Sequence, residues 1–465
     1  MEKKKDSRNM HPYIIIVAIV ILAAIVGRLL PAGSYSRYIG AQGRTVVDPE
    51  TFQFVSRDGF SFTKLMTAIP RGIIDACNVV VITLSIGGTF GIIKKTGMLT
   101  IAIKGLVKKF AKNKLAIIWI LSAAFAVICG FIGVPELCLV YIPVLMPLFF
   151  ALGFDSMVTV ALSLTATAAG FGCAWSAPAT TGLGQTIAEL PLYSGMVFRM
   201  VSCVVLVFIS ALYISRYAKK VLADPKASCV YEDDIEKKKI FTNDEDESKF
   251  APRVKAGGIA TLLLFAGLIA GVVINGWGFN EMSGYFIIMA VVIGLVSGYT
   301  VNDICYAFSA GMGEMLTGAL ICGIARGIAI VLQDAMVMDT IIMYLAKIVT
   351  GLPKAVAGVG MFGVTSLFNG VLASGSGKAV IALPIMIPLG DMAGVNRQIA
   401  ILAYQMGDAI TNIFWPASGY YMAALAIGMV SFKKWAKWAL PLILLWTVAG
   451  MGIIIVATMM NWGPF

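Results

Sequence analysis

Read by its hydrophobic and polar positions, the chain is a series of long apolar runs divided by short polar punctuation. The runs at 13–30, 256–273 and 440–459 are 18 to 20 residues long and almost free of charge. At 1.5 Å per residue, that length crosses the hydrocarbon core of a bilayer. Similar runs lie at 72–93, 155–182, 192–216, 283–298, 315–333 and 395–420. Between them "MLTIAIKGLVKKFAKNK", 98–114, carries lysines on one side of a helical pattern, which predicts a helix lying at the membrane interface. A different signal comes from "GFIGVPELCLVYIPVLMPLFFALGF", 130–154, where Gly133, Pro135 and Glu136 interrupt an apolar run with no polar loop. Non-helical backbone at membrane depth survives only where it is buried in protein or lines a cavity. The stretch 115–152 therefore reads as a re-entrant hairpin whose tip stays inside the membrane.

The same pattern returns later. In "ASGSGKAVIALPIMIPLGDMAGV", Pro384, Pro388, Leu389 and Gly394 follow Pro143, Pro147, Leu148 and Gly153 at a constant offset of 241. Gly327 follows Gly88 at 239, and Pro416 follows Pro178 at 238. Such constancy marks a duplication, with a second hairpin at about 353–392. Basic residues supply the orientation. Lys3, Lys4, Lys5 and Arg8 precede the first run, seven lysines stand from Lys94 to Lys114, and Lys433, Lys434 and Lys437 share a late loop. The positive-inside rule places these in the cytoplasm. The amino terminus is then cytoplasmic and the carboxyl terminus external, and the two hairpins open to opposite sides.

The expected fold is an all-α polytopic membrane protein, an inverted repeat with two re-entrant hairpins, two discontinuous helices and nine transmembrane spans. Its parts are a first helix and external loop (1–71), repeat one (72–216), a charged cytoplasmic loop (217–255), scaffold helices (256–314) and repeat two (315–465). A cytoplasmic connection is expected at 299–314.

Composition agrees. The 465 residues are 59% hydrophobic and 13% charged, too few polar groups to cover a soluble domain of this size. The net charge of +11 sits at run ends, so it signals membrane orientation and not nucleic acid. The first run lacks a small-residue cleavage site and reads as a retained helix. Eight cysteines show no metal-ligand spacing, and His11 is the only histidine, which excludes a histidine-based site. No nucleophile–base pair or nucleotide loop points to an enzyme.

Candidate chemistry gathers at four places. The first tip offers Gly133, Pro135 and Glu136; the second offers Ser374, Gly375, Ser376, Gly377 and Lys378. The runs that follow break at "WSAPATTG", with Ser176, Pro178, Thr180 and Thr181, and at "GDAITNIFWPASG", with Asp408, Thr411, Asn412, Pro416 and Ser418. Proline frees carbonyls in the preceding turn and leaves half-helices end to end. Half-helix amino ends attract carboxylates, while carbonyls and hydroxyls suit Na⁺. Substrate is expected at Gly133, Pro135, Glu136, Ser374, Gly375, Ser376, Lys378, Asp408, Asn412 and Ser418. Na⁺ candidates are Ser176, Thr180, Thr181, Thr411 and Asn412, with H⁺ the other coupling ion and no organic cofactor. Plainer roles stand beside these. Glu136 and Lys378 would neutralise each other across the repeat axis, Asp408 would bond a neighbouring helix, Arg326 would brace the scaffold, and Asp75 would favour a helix dipole.

These motifs, with "IARGIAIVLQDAMVMDTI" and "KKWAKWALPL", resemble the C4-dicarboxylate anaerobic carrier family from about residue 60 to the carboxyl end, nearest its YfcC-like branch of basic amino acid exchangers. The resemblance implies membership of the ion transporter superfamily, with substrate and any Na⁺ held between hairpin tips and helix breaks. Two positions depart from that branch: Leu137 stands where a second acid is usual, and Ala177 where an Asn is usual. The expected function is a secondary transporter in a bacterial cytoplasmic membrane that moves a small charged metabolite. An amino acid is the first expectation and a C4-dicarboxylate or short carboxylate the alternative. The lipid bilayer and a second copy of the chain are the expected partners.

Overall fold

The computed structural model describes residues 12–39, 45–48, 50–56, 61–97, 113–241, 253–275, 277, 279–350, 352–373 and 375–463. The expected interfacial helix at 98–112 and Ser374 lie outside them. Helix α1 (Pro12–Leu29) is followed by two short antiparallel ribbons, β1 (Gly33–Ser34) with β4 (Gln53–Phe54) and β2 (Arg37–Ile39) with β3 (Thr45–Val47). These strands qualify the all-α expectation. Aromatic contacts hold them, with Tyr35–Phe52 and Phe52–Phe54 ring centroids each 5.1 Å apart.

Helices α2 (Phe62–Asp75) and α3 (Cys77–Lys95) lead to the first repeat core. There α4 (Ala116–Ile132), a 3₁₀ turn at Pro135–Leu137 and α5 (Cys138–Leu152) form the hairpin. Helix α6 (Ser156–Gly172) breaks, passes through a π turn at Pro178–Gly182, and resumes as α7 (Leu183–Ile187) before α8 (Met196–Ala223). After α9 (Tyr231–Phe241), α10 (Val254–Asn275) and α11 (Phe279–Val296) comes α12 (Val301–Asp334), followed by α13 (Met338–Thr350). The second hairpin is α14 (Lys354–Phe368) with α15 (Gly375–Met392). The second broken helix is α16 (Arg397–Asn412) with α17 (Gly419–Ile427), and α18 (Phe432–Met459) closes the series. The helix starts Ala116/Lys354, Cys138/Gly375, Ser156/Arg397, Leu183/Gly419 and Met196/Phe432 are 236–241 positions apart, so the duplication extends to whole elements.

Equivalent helices pack antiparallel. Along α2–α3 against α12, Lys95 of α3 bonds Asp303 at 3.0 Å, Asp75 of α2 pairs with Arg326, and Arg71 of α2 reaches Asp334 at 2.5 Å. Along α6–α7 against α16, a Cβ at Gly172 would meet Ala409, and one at Gly184 would meet Ile401. Gln185 then donates to Gln398 at 3.4 Å. For α8 against α18, Trp446 Nε1 donates to the Leu206 carbonyl at 3.1 Å, and Phe198 meets Trp462, just past the end of α18, with ring centroids 4.8 Å apart. In each pair one number rises while the other falls, as an inverted repeat requires.

The core is the pair of broken helices. Every residue of α6 is buried, as are nearly all of α16. Two α6 hydroxyls return to their own helix: Ser163 Oγ donates to Thr159 O and Thr167 Oγ1 to Ser163 O, each at 2.9 Å. By length and apolarity, Pro135–Leu152, Met196–Ala223 and Phe432–Met459 would each cross a membrane, and two bent pairs would add to them. In one of those pairs, Arg326–Asp334 turns 92° into Met338–Leu345, which sets α13 as a transverse arm.

Two expectations change. The connection does not extend through 299–314. Thr300 and Asp303 form a capping box that starts α12 at Val301, so the turn shrinks to four residues, 297–300. Nor is 217–241 a free loop. Asp155 caps α6 and accepts from Tyr217 Oη at 2.5 Å and Ser228 Oγ at 2.7 Å, while Asp234 of α9 accepts from Ser156 N at 2.7 Å.

A Cβ at Gly311 would strike the Gly87 backbone, whereas one at Gly313 meets nothing within 4 Å. Gly311→Leu is expected to cost about 1–3 kcal/mol by overpacking and Gly313→Leu little. Thermal unfolding in detergent checks this, and equal melting of the two variants would refute the close α3–α12 crossing.

Candidate functional site

Each hairpin tip is tied to the break in the helix that follows it. At the first tip Gly133 ends α4 in the left-handed region, with φ 73°, and Pro135 opens the 3₁₀ turn. A Cβ at Gly133 would collide with Ala177, so glycine is required there for space as well as for φ. The carbonyls left free at the end of α4 take donors from the break. Trp175 N donates to Gly130 O at 3.1 Å and Ser176 Oγ to Phe131 O at 2.9 Å. Phe131 and Trp175 then meet edge to face at 5.2 Å. Glu136 is half-buried, faces no ion-pair partner among the described residues, and lies within electrostatic range of Asp408.

The second tip carries charge. Lys378, in the first turn of α15, is fully buried and donates to Asp408 Oδ1 at 2.5 Å and to Asn369 Oδ1. Asn369 ends α14 and donates to the Asp408 carbonyl at 2.6 Å and to Thr411 Oγ1 at 2.8 Å. Tyr404 places its ring 5.5 Å from the Lys378 ammonium and donates its hydroxyl to Gly375 O at 2.5 Å. Gly375 itself touches both halves: a Cβ there would lie 2.7 Å from Phe171 Cζ and 3.2 Å from Asp408 Oδ2. Lys378 therefore pairs with Asp408 and not with Glu136, because a tip packs on its own half's break. Arg326 likewise braces the scaffold through Asp75, which ends α2, and does not start a helix.

Unpaired acceptors line one face of α16. Gln405, Asp408 and Asn412 stand three and four positions apart on one face of α16. Gln405 Oε1, Asp408 Oδ2 and Asn412 Oδ1 are buried without a hydrogen-bond partner among the described residues, as is Ser418 Oγ at the break. Buried polar atoms are nearly always satisfied, so a row of unsatisfied acceptors marks a place for a donor. The Na⁺ candidates are bonded differently. Ser176, Thr181 and Thr411 donate to backbone carbonyls, and Thr180 Oγ1 accepts from Gln405 Nε2 at 3.0 Å. Among the expected substrate residues, Gly133, Pro135 and Glu136 form the first tip, while Gly375, Lys378, Asp408, Asn412 and Ser418 gather around the second tip and its break. Ser376 lies in the first turn of α15.

Sequence reasoning missed Asn369, Tyr404, Gln405 and Arg199. The 405–408–412 spacing and the Asn-Gly just before the second tip were available signals. Arg199 is fully buried near the start of α8, with its guanidinium 5.7 Å from the Trp462 ring and no hydrogen-bond partner among the described residues.

Lys378→Met or Asp408→Asn alone would strand a buried charge and is expected to cost about 3–5 kcal/mol. The double variant K378M/D408N should be less destabilised than the sum of the two. Chemical unfolding measures this cycle, and strict additivity would mean that the pair does not couple.

A profile of the C4-dicarboxylate anaerobic carrier family matches residues 10–459. An Escherichia coli K12 protein named "Putative basic amino acid antiporter YfcC" is 29% identical over 506 aligned positions, covering 99% of each chain. An uncharacterized Haemophilus influenzae Rd protein is 28% identical over 95% of each. Among solved structures, the Alcanivorax borkumensis YdaH transporter aligns with 98% of this chain and all of its own, at 17% identity and a TM-score of 0.42. Neisseria gonorrhoeae MtrF, described within a class of antimetabolite efflux pumps, aligns with 97% of this chain and 95% of its own, at 16% and 0.41. With its broken helices, paired hairpins and full-length family match, this multi-pass membrane chain belongs to the C4-dicarboxylate anaerobic carrier family of secondary transporters.

Proposed function

We propose that the chain exchanges basic amino acids across the bacterial cytoplasmic membrane, with nine crossings, a cytoplasmic amino end and hairpins that open alternately to either side. The observation that carries this reading is the excess of buried acceptors on α16. Gln405 Oε1, Asp408 Oδ2 and Asn412 Oδ1 have no donor among the described residues, and a substrate ammonium would satisfy them. Charge supports the same reading. Lys378 and Asp408 cancel, which leaves Glu136 as the uncompensated ion of the two tips. A cation is therefore the favoured guest. In this arrangement the substrate's α-ammonium meets Asp408 Oδ2, its carboxylate faces the amino-terminal turn of α15, and its side-chain cation turns to Glu136. The name of the E. coli relative agrees.

The family's own name favours a C4-dicarboxylate, which would need cations at the site. Lys378 and Arg326 both already hold carboxylates, so neither is free for a dianion.

Purified protein in liposomes loaded with L-ornithine is expected to take up labelled L-arginine by counterflow. Glu136→Gln should slow that uptake about tenfold or more, and succinate should not exchange. Counterflow of succinate without arginine would replace this reading with the dicarboxylate one.

A further inference from the structure

The Lys378–Asp408 pair has an unusual setting. The pair is fully buried, yet one oxygen of Asp408 is bonded and the other is bare. The Lys378 side chain also lines a small apolar cavity between the arm α13 and the second hairpin, about 20 Å³ in volume and so large enough for one water-sized group. Leu345, Met361, Phe368, Ile385 and Leu389 form much of its wall. Thr365 is the other polar lining residue, and its hydroxyl already donates to Met361 O at 2.9 Å. Lys378 thus stands between a carboxylate that can accept a second cation and a cavity that only an uncharged group can occupy cheaply.

We propose that Lys378 is the proton-coupling group: a cationic substrate reaching Asp408 displaces the ammonium, which releases its proton to water and retreats into this cavity as a neutral amine. The inference rests on the basic amino acid reading of the same site. Its physical cause is competition. Two cations on one carboxylate in a dry site repel strongly, whereas a neutral amine beside the substrate does not. The N–H bond of Lys378 breaks with its electron pair left on nitrogen, and the proton passes to bulk water. No redox partner is needed. Each bound substrate cation then replaces one proton, so the site's charge is the same loaded and empty.

The ionisable groups around Lys378 leave it as the natural donor. Tyr404 and Asp408 face it from α16, and Tyr420 of α17 is within electrostatic range of both Glu136 and Asp408. On the arm, Asp339 is held by Arg37 at 2.9 Å and Lys347 lies over Tyr344 at 5.8 Å. Within the second hairpin, Lys354 begins α14 at the far end from Asn369, and Asp391 of α15 is paired with Arg397. The packed elements β3 and α7 contain no ionisable residue.

Calorimetric titration of the purified full chain with L-arginine, in phosphate and in Tris at one pH, tests this directly. The two buffers should report release of about one proton per arginine bound, and affinity should rise about tenfold per pH unit through the coupled range. Lys378→Met should bind arginine with no proton release and a flat pH profile. Arginine bound to the wild type with no proton exchanged would overturn the coupling while leaving the substrate reading intact. Proton release by the methionine variant equal to wild type would assign the donor elsewhere and overturn it too. Failure to bind any basic amino acid would remove both. Absence of proton release by the wild type overturns the coupling even if the variant does not fold.

Discussion

A backbone that leaves helical geometry inside hydrocarbon must find hydrogen-bond partners, and this chain finds them by seating each hairpin tip on the break that follows it. In the first half the partnership is neutral: the carbonyls of Gly130 and Phe131 receive Trp175 N and Ser176 Oγ. In the second it is built from side chains, with Asn369 donating to the Asp408 carbonyl and Lys378 to its carboxylate. The other features of the site follow. Glycine is needed where each tip meets the broken helices, at Gly133 against Ala177 and at Gly375 against Phe171. The broken helices form the buried axis because they are the elements that touch both tips.

The duplication gives symmetry of backbone and asymmetry of charge. Equivalent helices cross antiparallel in three separate pairs, yet among the described residues an ion pair joins tip to break in the second half only. The position before Lys378 aligns with Glu136, so the first tip places an acid almost where the second places a base. The second tip holds a charge-balanced Lys378–Asp408 pair, and the first carries Glu136 without an ion-pair partner among the described residues. An exchanger of cations can use that difference: one half sets the attraction, and the other holds a counter-cation that must be displaced.

Much of this was legible in the sequence, for physical reasons. Prolines, glycines and charges inside apolar runs are costly and therefore conspicuous, so both hairpins, both breaks and the duplication could be read from them. The arm of the second half, Met338–Thr350, follows from the same alignment. What was hidden depends on three-dimensional contact. Lys378 and Glu136 look like partners because the alignment sets them side by side, but a tip reaches the break thirty residues on before it reaches the other half. The start of α12 rests on a local capping box that a hydropathy reading passes over. The ribbons between α1 and α2 are held by aromatic contacts and by Asp339, which is distant in sequence.

The antiparallel meeting of α6–α7 with α16 is where both halves build one site, and cysteine cross-linking tests it most directly. In a chain with its eight native cysteines replaced, the pairs G172C/A409C and Q185C/Q398C should each form a disulfide on mild oxidation in membranes. The exchanged pairs G172C/Q398C and Q185C/A409C should not. Cross-linking of the exchanged pairs instead would mean that the two halves run parallel, and the shared site described above would not exist.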